Sequence, residues 1–183
     1  MSIAEPSPEQ ITECFKIEQS LGFDAPDADT AGFFLPGATE ALYQDLYKTG
    51  YTRVILDDAG RVSSYVVVVP PGHSIVERSL ANNPAMLLCG DTPSPDPKHS
   101  IWIAKVASQP AARRSGQARA LYAQVFADFA GCTAFTTTAL SPKRNPASEG
   151  FHAAMGMQRA GVFLSPPRGE VKHIVNLLWR KQL

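Results

Sequence analysis

The sequence predicts a mixed α/β domain with a largely antiparallel sheet, and three observations predict it. Val62 to Val69 ends in four consecutive valines, the pattern of a buried strand. The short turn Asp57-Asp58-Ala59-Gly60 joins that run to Tyr51–Leu56, so the two form a hairpin. Ala118, Leu121, Tyr122, Val125, Phe126 and Phe129 recur at i, i+3, i+4, i+7, i+8 and i+11, one continuous helical face. Strand and helix patterns interleaved in this way pack as helices on a sheet.

Each element has its own local cause. A short strand is expected around Ile3. Ser7-Pro8-Glu9-Gln10 opens a helix, with Ser7 as cap and Gln10 closing a capping box. Ile11, Cys14, Phe15 and Ile17 give that helix its apolar side, and Gly22 ends it. Phe23 to Gly37 reads as loop. Thr39 caps a second helix with Leu42, Tyr43, Leu46 and Tyr47 on one side, stopped by Gly50. After the hairpin, Pro70-Pro71-Gly72 breaks the strand and Ile75 to Leu80 reads as a turn or two of helix. Asn82 to Ser100, rich in proline and turn residues, reads as a long surface loop, of a kind that is often a lid or disordered. Ile101 to Ala107 is a third clear strand, and the amphipathic helix follows until Gly131. Thr133 to Leu140 is β-branched and extended. Asn145-Pro146 opens a short helix that Gly156 ends. Met157 to Leu164 and Val171 to Trp179 read as final strands, joined through Ser165-Pro166-Pro167-Arg168-Gly169. The expected order is β-α-α-β-β-β-α-β-α-β-β, one domain over residues 1–183.

Composition bounds the function. The chain has 183 residues, 19% charged and 44% hydrophobic, an ordinary globular balance with room for a real core. Its formal net charge is zero, which gives no case for nucleic acid or an anionic membrane as partner. No apolar run approaches the ~20 residues that cross a bilayer. The start, Met1-Ser2-Ile3-Ala4-Glu5-Pro6, lacks a basic stretch followed by an apolar one, so the cytoplasm is the expected compartment. Cys14, Cys89 and Cys132 are widely spaced, without paired metal spacing, and are expected to be reduced thiols.

The segment Val106-Ala107-Ser108-Gln109-Pro110-Ala111-Ala112-Arg113-Arg114-Ser115-Gly116-Gln117-Ala118 carries the chemistry. It runs from a strand end through a basic loop into a helix start. Helix N-termini present unpaired N–H groups with partial positive charge, and Gly116 lets an anion approach that backbone. Arg113 and Arg114 add charge for the same anion. This is the pattern of a phosphate-holding loop. Downstream lies Asn145-Pro146-Ala147-Ser148-Glu149-Gly150-Phe151-His152-Ala153-Ala154-Met155-Gly156-Met157.

Together the two segments resemble the GNAT (Gcn5-related N-acetyltransferase) superfamily. The first is similar to its acyl-CoA pyrophosphate loop, Gln/Arg-x-x-Gly-x-Gly/Ala. The second is similar to its helix pattern Asn-x-x-Ser/Ala-x-x-Phe/Leu-Tyr/His-x-x-x-Gly-Phe. The resemblance implies the GNAT fold, acetyl-CoA as cofactor, and direct attack by an amine without an acyl-enzyme. It implies that Val106, Ala107 and Ser108 splay from their neighbour strand and offer backbone groups to the pantetheine. It implies that Arg113, Arg114, Ser115, Gly116, Gln117, Ala118 and Arg119 wrap the pyrophosphate. Asn145 and Ser148 are implied at the pantetheine arm. His152 stands where many members carry a tyrosine that protonates the leaving thiolate, and an imidazole can do this near neutral pH. The expected partner is a small-molecule amine acceptor, with a homodimer through the late strands.

The chain departs from the family pattern on the acceptor side. Ala104-Lys105 and Thr138-Ala139 stand where relatives carry carboxylates, and Met157 replaces the usual aromatic. Two other functions therefore stay open: an acyl-CoA-binding sensor or regulatory module, and a protein amine acetyltransferase. Lys105 and His173 are further candidates for the acceptor side.

Overall fold

Ser7 accepts a hydrogen bond from the Gln10 N–H while the Gln10 side chain accepts from the Ser7 N–H, so α1 (Pro8–Ser20) starts where its capping box dictates. Thr39 and Asn145 cap α3 (Glu40–Thr49) and α6 (Pro146–Ala154) with one bond each, their side chains accepting from the Leu42 and Ser148 N–H groups. The computed structural model describes residues 2–25, 27–80, 85–165, 167 and 171–183. Within them lie β1 (Ile3–Ala4), α2 (Ala28–Ala31), β2 (Tyr51–Leu56), β3 (Val62–Val69), α4 (Ser74–Leu80) and β4 (Met86–Leu88). The second half holds β5 (Ser100–Ser108), α5 (Gln117–Asp128), β6 (Thr133–Ser141), β7 (Gln158–Ser165) and β8 (Ile174–Gln182).

The strands form one eight-stranded sheet in the order β1-β2-β3-β5-β6-β8-β7-β4. Every pairing is antiparallel except β5 with β6. The valine run explains the layering. Val67 and Val69 pack beneath α1 and α3, whereas Val66 and Val68 pack beneath α5, in step with the two-residue period of a strand. Each such side chain taken fully from water contributes roughly 1.5–3 kcal/mol.

Two expectations are corrected. The segment 23–37 contains the single turn α2 rather than loop alone. The segment 82–100 is not loop throughout: β4 lies in it and pairs with β7, with Leu88 opposite Gly161. A side chain at Gly161 would lie 2.1 Å from the Leu87 carbonyl oxygen, so glycine is what lets this three-residue edge strand close on the sheet. Residues 81–84, and most of the expected connection 165–169, lie outside the described residues.

The break in the sheet positions everything that follows. β5 and β6 pair only at Ser100↔Thr133, Ile101↔Ala134 and Trp102↔Phe135, then part. Ala104 is the cause on the β5 side. The register against β3 slips there, Lys105 facing Val67 while Ile103 faces Val68, which leaves Ala104 as the extra residue of a bulge. The bulge bends the strand and turns both Ala104 and Lys105 towards α1.

Candidate functional site

A cleft of about 1010 Å³ passes through the sheet where β5 and β6 diverge. Its walls come from both faces: Leu21, Phe34 and Leu46 from the α1–α3 side, Phe151 and His152 from α6. Val106, Ala107 and Ser108 all line it. They keep β3 on one edge, at Val66, Tyr65 and Ser64, and have no strand on the other. That open edge matches the expected splay. Thr136 bridges the start of the gap, donating to the Ile103 carbonyl at 2.9 Å.

The basic loop meets the same cleft. After a 3-10 turn at Pro110–Ala112, Arg114 and Gly116 both take left-handed backbone conformations, at φ 60° and 85°, before α5 begins. Such turns aim successive N–H groups at one point and form an anion-binding concavity. Arg113, Arg114 and Ala118 line the cleft, whereas Ser115, Gly116, Gln117 and Arg119 do not. Two of these last side chains serve the loop itself. Ser115 donates to the Ala112 carbonyl at 2.6 Å, and the Gln117 side-chain oxygen accepts from Ser63 at 2.8 Å and Ser64 at 2.6 Å. Gln117 therefore ties the first turn of α5 to β3. The Arg119 side chain is exposed outside the cleft. Arg113 forms an ion pair with Asp27, so its guanidinium already has a carboxylate partner.

Asn145 and Ser148 line the cleft at the start of α6. Asn145 is 4% exposed and holds three segments together. Its side-chain oxygen accepts from the Ser148 N–H at 3.1 Å, its amide nitrogen donates to the Phe33 carbonyl at 3.1 Å, and its own N–H donates to the Ala139 carbonyl at 3.0 Å. Glu149 faces away from the cleft, gripped by Arg144 at 2.6 and 2.9 Å, and that guanidinium holds its carboxyl below the usual range.

His152 is 2% exposed, in a box of Tyr122, Phe151 and Trp179 rings. Its Nδ1 lies 3.3 Å from the Tyr122 hydroxyl. Burial pushes its pKa down to about 4, so the ring is neutral at physiological pH. The ring expected as proton donor is uncharged here, because nothing in the aromatic box compensates the charged form. The nitrogen turned away from Tyr122 is the one left for a ligand. His173 is exposed and does not line the cleft. Burial raises the Cys14 thiol to about 12, which rules it out as a thiolate nucleophile near neutral pH.

The structure adds a carboxylate that motif reading missed. Lys105 lines the cleft, and its ammonium donates to Glu18 of α1 at 2.8 Å. The other Glu18 oxygen accepts from Tyr43, whose hydroxyl lies 2.7 Å from that of Tyr65. Burial drives both phenols well above their ordinary range. A signal for Glu18 existed: it falls on the stripe of Ile11, Cys14 and Leu21, where an unpaired carboxylate would be costly.

This architecture, an antiparallel sheet opened at one parallel pair beside a left-handed loop and helix, is the GNAT acetyltransferase fold. Solved structures match it across nearly the whole chain. The ribosomal-protein-S18-alanine N-acetyltransferase of Escherichia coli is similar at TM-score 0.65 and 12% identity, over 98% of this chain and 91% of its own. An N-acetyltransferase of Staphylococcus aureus Mu50 matches at 0.64 and 13%, over 99% and 97%. A phosphinothricin acetyltransferase of Sinorhizobium meliloti, solved with acetyl-CoA, matches at 0.62 and 13%, over 100% and 88%. No protein-family profile matches the sequence, and no curated protein is similar to it in sequence. Among the described residues, no helix is long and apolar enough to cross a membrane, and no group of three or more His, Cys, Asp or Glu side chains is placed to hold a metal ion.

Proposed function

We propose that this chain transfers an acetyl group from acetyl-CoA to the primary amine of a small molecule. One observation carries the reading: the unpaired edge Val106–Ser108 and the basic loop, through Arg113, Arg114 and Ala118, line one cleft. Fold likeness to acetyltransferases supports it, as does the one solved with acetyl-CoA. Acetyl-CoA supplies a thioester whose carbonyl carbon gains the amine nitrogen as the C–S bond breaks, CoA leaving as a thiolate that takes up the proton the nitrogen sheds.

The residues divide the work. The open edge of β5 hydrogen-bonds the amides of the pantetheine arm, and its N–H groups polarise the thioester carbonyl. Loop N–H groups from Arg114 to Ala118 receive the pyrophosphate, with Arg113 and Arg114 adding charge. Asn145 and Ser148 flank the arm. His152, neutral and buried, gives the departing sulfur a hydrogen bond from its cleft-side nitrogen rather than a labile proton.

Calorimetric titration with acetyl-CoA tests the reading. Binding in the micromolar range is expected. Gly116→Glu sets a carboxylate where the pyrophosphate would lie, and at least about a hundredfold loss of affinity is expected, some 2.7 kcal/mol. Gly116→Asn, which tolerates the left-handed conformation without adding charge, keeps most of the affinity. Absence of acetyl-CoA binding to the unmodified chain overturns the proposal.

A second reading, an acyl-CoA-binding module without turnover, is favoured by two observations. His152 is neutral, and Asp27 and Lys105 in the cleft both have ion-pair partners. Tight binding with no CoA release across an amine panel would select it.

A further inference from the structure

We infer that the acceptor is a primary amine on an apolar, uncharged body. The inference rests on the proposed placement of acetyl-CoA along α5 and α6, which leaves the α1–α3 mouth of the cleft for the acceptor. That mouth is walled by Leu21, Phe34, Leu42, Val69, Trp102 and Phe163. The Trp102 and Phe163 rings lie 6.0 Å apart, and the Phe34 ring faces the Lys105 ammonium at 4.9 Å. An aliphatic or aromatic body fits these walls.

The charges point the same way. Among the described residues, the charged side chains lining the cleft are Asp27, Lys105, Arg113 and Arg114. The one carboxylate, Asp27, is bound by Arg113. Lys105 is bound by Glu18 at 2.8 Å, so that pair offers no net charge to a ligand. Among the described residues, a second ammonium on the acceptor would thus meet apolar walls and a lysine, with no unengaged carboxylate to receive it. Burying such a charge unpaired is strongly unfavourable. Diamines, aminosugars and basic peptide tails are the wrong chemistry for this mouth. Each methylene buried against it, by contrast, multiplies affinity by about fourfold.

The experiment is calorimetry on the full chain saturated with CoA, titrated with 2-phenylethylamine, hexylamine, 1,4-diaminobutane and a lysine-rich peptide. The two apolar amines are expected to bind at least about tenfold more tightly than the diamine or the peptide. Leu42→Glu, on a partly exposed position of α3 lining the mouth, is expected to shrink that ratio by up to about fivefold by giving the second ammonium a partner. Equal or tighter binding of the diamine or peptide overturns the inference while leaving the proposed function standing, and so does failure of every amine to bind the CoA-loaded chain. An unchanged ratio in Leu42→Glu overturns the assignment of the mouth. Failure of CoA itself to bind overturns the proposed function, and the inference with it.

Discussion

The two ends of the cleft are built on opposite principles. The α5 end is local: Val106 to Ala118 supplies an open strand edge, a left-handed loop and a helix start from one continuous segment. The α1–α3 end is assembled from afar, with Leu21, Phe34, Val69, Trp102 and Phe163 converging from different elements and connections. The local end works through backbone groups and charge. The distant end works through apolar surface and the buried Lys105–Glu18 pair. A function common to many proteins can sit in a contiguous motif, whereas the part that selects one substrate is spread over the fold, where it can change piece by piece.

The buried pair is where the comparison breaks most readily. Glu18→Gln takes the carboxylate charge away from the buried Lys105 ammonium, which is 12% exposed, and should destabilise the chain by about 3–5 kcal/mol. At about 2–4 °C per kcal/mol for a domain of this size, the melting temperature should fall by roughly 10 °C. Glu18→Gln combined with Lys105→Met should recover most of that loss, because no buried charge is then left alone. Thermal denaturation of both variants decides it. A single variant as stable as the parent would mean that the pair does not hold the distant end together.

The next effect lies between the two ends, at His152. Its folded pKa of about 4 is below the ordinary 6.5, so the unfolded chain takes up this proton first as pH falls. The stability gained by keeping the ring neutral is complete above pH 6.5 and is lost progressively towards pH 4. The full window is worth about 3 kcal/mol. His152→Phe should flatten the slope of stability against pH just below 6.5, as read from urea midpoints. An unchanged slope would mean that the ring is not held neutral by burial.

The smallest effect sharpens the local end. Asp27 occupies the Arg113 guanidinium that the pyrophosphate is proposed to use. Exposed ion pairs of this kind are worth about 0.2–1 kcal/mol. Asp27→Asn should therefore raise acetyl-CoA affinity by up to about fivefold, as read by calorimetry. A loss of affinity would show that Asp27 orders Arg113 for the ligand rather than competing for it.

Much of this was legible in the chain, for identifiable reasons. The capping box at Ser7 and Gln10, the Thr39 and Asn145 caps and the α5 face act over a few residues, and each forms where expected. β4 was not legible, because Met86–Leu88 is too short to show a period and becomes a strand only through its partner β7. Gln117 was expected at the pyrophosphate, but its side chain turns back to Ser63 and Ser64, residues more than fifty positions away in sequence. Glu18 was overlooked because its partner Lys105 lies eighty-seven positions further on.

The sequence by itself determined the longer strands and helices, their caps, the α/β class and the basic loop that leads into α5. These follow from backbone preferences and apolar periods, which neighbours in the chain settle among themselves. Only the tertiary structure decided the Ala104 bulge, the neutral state of His152 and the apolar mouth with its buried ion pair. Each of these depends on desolvation and on partners brought together across the sheet, and burial is a property of the folded packing that no local pattern carries.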